Sequence, residues 1–321
     1  MPNHEDLQKI LKEAGHSGSE AITELNVRNR GLESLAGIDR LTDLRVLHLG
    51  RNSIRDLLPL AGLQRLTGLF LERNRIVDAS PIRQLTKLPA LDVSHNAISS
   101  TEAFTDAHKL TWLNFSDNQL ATTGKLERCA YLTNLNLSGN KLTKGEAFTT
   151  HHRLRHLDLS DNLLRGRLTI ASMPRLRTLD VSKNELSEIR FGEVHPELTT
   201  LKVSSNQLTD LSFLRHTPNL TVLNVSDNPL GEIGEISQLK KLRSLYLWHT
   251  KITSVAGLEQ AVQLEEVGLA DNDIEGVSNL QSLNQLQLLF LGGNRKIDPA
   301  SLHALADSVS EDYRGPDWKE E

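Results

Sequence analysis

The chain has 321 residues, with 36 Lys and Arg against 41 Asp and Glu for a formal net charge of −5. That balance lacks the basic excess needed to hold a phosphate backbone, and no Lys/Arg run marks an arm for an anionic surface, so nucleic acid is not an expected partner. No run of about eighteen apolar residues, the length a membrane-spanning helix needs, is present. Met1–Asp6 has neither a basic nor an apolar leader-like stretch, and Cys129 is the only cysteine. Together these predict no membrane insertion, no internal disulfide and a cytoplasmic setting, with export left only to a dedicated machine.

Residues 1–21 read as an N-terminal capping helix: Asn3 is the N-cap, Leu7, Ile10, Leu11 and Ala14 share one stripe, and Gly15 is the stop. From Ile22 the pattern L-x-x-L-x-L-x-x-N-x-L/I recurs every 22 residues without insertion or deletion, which gives one continuous solenoid of 13 copies over 22–297. Eleven copies close on asparagine, at Asn52, Asn74, Asn96, Asn118, Asn140, Asn162, Asn184, Asn206, Asn228, Asn272 and Asn294. Within each copy x-L-x-L-x alternates with period two, as in Asn134-Leu135-Asn136-Leu137-Ser138, which predicts a short strand with one face inward. Stacked in parallel at about 4.8 Å, and backed by bulkier return segments, the strands belong on the concave side of a curved stack. The asparagine amide both donates and accepts, so the column is read as structural, satisfying backbone groups where the chain turns out of the sheet.

The returns repeat apolar residues with a spacing of three, as in Ile54, Leu57, Leu60 and Leu63, and this predicts 3₁₀ or short helical turns. The middle copies depart from the rule. Thr101, Thr123, Gly145 and Arg167 replace the first apolar return residue, Ala107, Cys129, His151, Met173 and His195 occupy the last, and Arg165 to Ile170 alternates like a strand. Residues 298–321 read as a C-terminal capping helix, opened by Asp298 and Pro299 with Leu302, Leu305 and Val309 inward, followed by an acidic tail containing Trp318. With 59 leucines against 7 Phe, 3 Trp and 3 Tyr, the expected core is a stack of leucine layers.

The 22-residue pattern resembles the leucine-rich repeat, in the class shared by bacterial internalin-type proteins and the leucine-rich regulatory subunit of type-one protein phosphatase. The resemblance implies an α/β repeat solenoid, a leucine-rich-repeat horseshoe with about 13 parallel concave strands, 3₁₀ or irregular convex returns and a helical cap at both ends. It further implies a binding surface without a reaction centre: no enzyme, no cofactor, no metal, and a folded protein partner in the concave groove. In the phosphatase-regulator family, acidic and aromatic side chains of the strand column make the contact; Phe70, Asp92, Asp158, Asp180, Tyr246 and Phe290 match them in type and position.

The column between the two strand leucines is aromatic toward its ends and polar or acidic in its centre. Tyr246 and Trp248, on alternate positions of one strand, point from one face beside His249, in the copy where Thr250 replaces the asparagine; with Phe290 two copies on, they form the best candidate anchor. Packing of Trp248 against Ser226 is the alternative reading. Phe70, flanked by His48, Arg51, Glu72 and Arg73, is a second candidate, and Asp92, Asp158 and Asp180 are candidate steering charges for a basic surface. A ladder of serines runs through Ser94, Ser116, Ser138, Ser160, Ser182, Ser204 and Ser226; with no histidine beside each hydroxyl it reads as groove floor rather than as nucleophiles. His95 with Asp117, and His156 with Asp158, read as hydrogen-bonding pairs, too few for a metal. The expected function is an intracellular protein-binding module. A phosphatase regulatory subunit-like protein is one alternative, and a bacterial effector or internalin-like binder of a host or cell-surface protein is another; nothing in the columns specifies an oligomeric state.

Overall fold

A computed structural model describes residues 9–12, 21–104, 109–144 and 151–306. The chain divides into two compact units, residues 1–143 with 148–162 and residues 144–147 with 163–321. The first unit carries seven parallel strands in chain order, Glu24–Asn26, Val46–His48, Gly68–Phe70, Ala90–Asp92, Trp112–Asn114, Asn134–Asn136 and His156–Asp158. The second carries six, Thr178–Asp180, Thr200–Lys202, Val222–Asn224, Ser244–Tyr246, Glu266–Gly268 and Leu288–Phe290. Thirteen strands match the thirteen copies. Each pairing aligns residues 22 apart, as in Leu25 with Leu47 and Leu245 with Val267, because identical spacing brings the same apolar position of each copy into the same core layer. The central residue of every one of these strands is buried.

The spacing of three in the returns gives the expected 3₁₀ turns, among them Leu58–Leu60, Ser80–Gln84 and Gly124–Arg128 in the first unit and Ser212–His216, Gly234–Gln238 and Ser278–Ser282 in the second. The turn out of eleven of the thirteen strands is made by the asparagine column. Asn140 Nδ2 donates to the carbonyls of Phe115 and Leu137 at 3.0 Å each and of Ser138 at 3.2 Å, while its Oδ1 accepts from the Leu120 N–H at 2.9 Å. Thr250 substitutes with its hydroxyl, which donates to the Leu247 carbonyl at 2.9 Å, and it leans on Asn272 of the next copy. Immediately before this column the chain is left-handed: φ is 57° at Arg51, 56° at Arg73, 54° at Lys183 and 51° at His249. These rim side chains are displayed at the edge of the strand face by that turn, and Gly139 and Gly293 take the same conformation without a Cβ to strain it.

Arg165–Ile170 is a strand, as its alternation predicts, and it pairs in parallel with a second return strand, Glu185–Phe191, that the sequence reading missed. Leu168 and Ile170 face inward from the first, and Leu186, Ile189 and Phe191 from the second. Outside, Arg165 pairs with Glu185 at 3.0 Å, and Glu188 is held between Arg167 and Arg190, whose guanidiniums keep its carboxyl below the usual range. The one-residue shift in register between Leu186 and Glu188 obscures the period-two signal. Cys129, His151, Met173 and His195 are all buried at the last return position. Burial alone pushes the Cys129 thiol up to about 12, so almost no thiolate is present near neutral pH. Native chain is expected to resist a polar maleimide until denaturant is added; labelling at the rate of an exposed thiol would contradict this placement.

His195 lies between the carbonyl oxygens of Glu193, 2.9 Å from Nδ1, and Ala171, 3.1 Å from Nε2. Its pKa is lowered, chiefly by burial. The unfolded chain therefore binds the proton first as pH falls, so the stability linked to His195 is present above the ordinary histidine value of about 6.5 and is lost as pH drops toward the folded value. In urea unfolding, His195→Leu is expected to flatten the fall in stability below about pH 6.5; an unchanged slope would remove His195 as its source.

Of the expected caps, residues 9–12 are helical, with Ile10 and Leu11 buried, and a helix spans Pro299–Ala306. Asp298 caps it through bonds from the Ala300 and Ser301 N–H groups at 3.2 and 3.3 Å, and Leu305 is buried beneath it. Asn3, Leu7, Ala14, Gly15, Ala107, Gly145, Val309 and Trp318 lie outside the described residues.

Candidate functional site

In the second unit, residues 246, 268 and 290 are neighbours across three adjacent strands, Tyr246 beside Gly268 and Gly268 beside Phe290. Glycine in the middle leaves a slot. Trp248 fills it: a Cβ at position 268 would collide with the indole Nε1 and stand 2.9 Å from Cε2. The indole meets the Tyr246 ring edge-on, with centroids 5.6 Å apart, and the Trp248 N–H donates to Ser226 Oγ at 3.1 Å. The contact with Ser226 is thus made by the backbone of Trp248, which leaves the residue 39% exposed, with Phe290 42% and Leu288 41% exposed beside it. The patch is apolar, contiguous and open to solvent.

Its border is acidic. The Tyr246 phenol is raised by burial and by its hydrogen bond to the Glu266 carboxylate. His249 bridges the rim, Nδ1 3.4 Å from Asp227 and Nε2 3.3 Å from Asp271. Sequence reasoning named Tyr246, Trp248, His249 and Phe290 but missed Gly268 and Leu288. The signal for Gly268 was present as the one small residue between two aromatics in the column, and it is informative only once the strand order is known.

In the first unit Phe70 stacks on His48, with centroids 4.6 Å apart and planes 6° from parallel, and leans toward Trp112 at 6.5 Å. The candidate steering charges are tied to the serine ladder. Ser94 donates through N–H and hydroxyl to Asp92 Oδ1, at 2.9 and 2.6 Å, and Ser160 does the same to Asp158 Oδ1, at 2.9 and 2.6 Å. Ser138 bonds Asn136 in the same way, and the Ser182 N–H donates to Asp180, whose other oxygen lies 3.7 Å from Lys202. These serines close local turns at the end of the strand; they are structural hydrogen-bond donors, a stronger role than the open floor inferred from their size. His95 and Asp117 are 3.4 Å apart, as the shared column predicts. Among the described residues no group of three or more His, Cys, Asp or Glu side chains is arranged to hold a metal.

A family described as Leucine Rich repeats (2 copies) matches residues 196–238 and 218–260, and one described as Leucine rich repeat matches residues 130–186. No curated protein matches the chain. Among solved structures, the internalin inlF from Listeria monocytogenes is similar at 26% identity and a TM-score of 0.82, over 97% of this chain and 95% of that one. The Leptospira interrogans leucine-rich-repeat protein LIC12759 shares 24% identity with a TM-score of 0.75, over 85% and 74% of the two chains. YopM from Yersinia enterocolitica shares 24% with a TM-score of 0.70, over 89% of this chain and 59% of that one. The last two likenesses carry the fold alone. Thirteen parallel strands, eleven of them turned by asparagine, 3₁₀ returns and these matches make the chain a leucine-rich-repeat solenoid of internalin-like fold.

Proposed function

We propose that this chain is a non-enzymatic binding module whose strand face engages a folded protein partner, with Tyr246, Trp248 and Phe290 as its apolar anchors. The observation that carries the reading is the indole of Trp248 laid in the Gly268 slot and left open to solvent between two further aromatics. Rigid aromatic area on a surface costs solubility and gains binding energy at small entropic loss. The carboxylates of Glu266, Asp227 and Asp271 around it favour a partner surface that sets basic groups around an apolar centre. Phe70 on His48 is a second contact, and Asp92, Asp158 and Asp180 steer approach of a basic surface. The hydroxyls of Ser94, Ser138 and Ser160 are engaged in turns and the thiol of Cys129 is buried and protonated, which supports binding rather than catalysis. A lone cysteine suits a reducing cytoplasm.

A second reading is favoured by the likeness to the Listeria internalin over nearly the whole of both chains: a bacterial interaction protein directed at a host or cell-surface protein. Capture of partners by the wild-type chain and by Tyr246→Ala/Trp248→Ala distinguishes the anchors from other surfaces. A partner held equally by both chains would remove this strand face as the interface. Whether the captured protein comes from the native cell or from a host-cell lysate decides between the two readings.

A further inference from the structure

The first copy of the repeat differs from the others in a way that has chemical content. An asparagine in the turn column donates to a carbonyl 25 residues back, as Asn52 does to Val27. Among the described residues no strand precedes the first copy for such a bond to reach. Its column position is Arg30, whose backbone N–H still donates to Asn52 Oδ1 at 3.0 Å while the guanidinium is released to solvent. Beside it lies an open depression of about 600 Å³ lined by Asn26, Arg28, Asn29, Arg30 and Arg51. The lining holds three guanidiniums and no carboxylate, in a chain whose net charge is −5.

One of the three charges is paired within the chain and two are not. Arg28 is paired with Glu72 at 3.0 Å, and the Glu72 carboxylate lies over Gly50, where any Cβ would collide with it. Glu72 is thereby a positioning residue that holds Arg28 at the edge of the depression. Arg30 and Arg51 have no side-chain partner among the described residues. The left-handed turns that set Asn29 and Arg51 on the rim continue at Arg73, which reaches His95 at 3.3 Å. The unpaired guanidiniums of Arg30 and Arg51 come from adjacent copies, whose strands stand about 4.8 Å apart. Guanidinium forks pair carboxylates two bonds at a time, and two unpaired ones on adjacent copies suit successive carboxylates on an extended chain.

We propose that Asn26, Arg28, Asn29, Arg30 and Arg51 form a recognition site for an acidic, Asp/Glu-bearing segment of a protein ligand. This site lies in the first unit and is independent of the aromatic anchor in the second. The test is fluorescence anisotropy of a labelled peptide of alternating Asp and Gly on the full chain, with the Asn/Gly peptide and inorganic phosphate as competitors. The acidic peptide is expected to bind, more weakly as salt rises, and Arg30→Glu/Arg51→Glu is expected to weaken it at least about tenfold with an unchanged melting temperature. Arg28 is left intact because of its ion pair. Arg55→Glu/Arg75→Glu makes the same change in net charge on exposed arginines outside the lining, and it is expected to keep most of the affinity. No binding of the acidic peptide, equal competition by the Asn/Gly peptide, or equal loss in the Arg55/Arg75 variant would each overturn the site. Displacement by phosphate at far lower concentration than by unlabelled acidic peptide would overturn the carboxylate assignment in favour of a phosphate-bearing ligand.

Discussion

Asn140→Ala is expected to destabilise the fold by about 1 to 3 kcal/mol in urea or thermal unfolding, and the loss traces to one atom. Each carbonyl that Asn140 serves has a second donor: Phe115 from Asn118, Leu137 from Asn162 and Ser138 from the Asp117 N–H. The Leu120 N–H has only Asn140 Oδ1, at 2.9 Å, and lies with Leu120 fully buried. Truncation therefore strands one buried donor instead of four groups. Asn140→Asp keeps an oxygen for Leu120 but turns the other against three carbonyls, so it is expected to cost more than alanine at neutral pH. If both variants melted like the wild type, the asparagine column would not be what secures the turn.

The double variant Tyr246→Ala/Trp248→Ala is expected to keep the circular dichroism spectrum and nearly the melting temperature, because both side chains lie on the open side of strands whose inner leucines stay packed. Affinity for the captured partner should fall by about 2 kcal/mol or more, roughly 30-fold. Gly268→Val separates geometry from mere area. It leaves both aromatics present but evicts the indole from its slot, so the fluorescence assigned to Trp248 should change and binding should drop while the fold persists. Affinity retained in both variants would place the interface elsewhere, with the paired return strands at Arg165–Ile170 and Glu185–Phe191 the next surface to test.

The same two sites show how far a sequence carries. Period and residue type alone specified the strands, the 3₁₀ returns, the asparagine turns and the burial of Cys129, since each follows from a local rule repeated from copy to copy: the apolar position of a copy has nowhere to go but the layer made by its neighbours. Even an irregularity was legible where alternation was clean, as at Arg165 to Ile170. The return strand Glu185–Phe191 was not, because its register shift breaks the alternation that marks a strand.

What only the tertiary structure decided is where side chains of different copies meet. Phe70 on His48, Trp248 over Gly268, His249 between Asp227 and Asp271, and Glu72 reaching past Gly50 to Arg28 are contacts between residues 20 or more apart, set by rotamers and by the space a neighbour leaves. A repeat announces its columns in one dimension. Which members of a column bury, stack or pair depends on their neighbours across the strands, and that second dimension exists only once the copies are stacked.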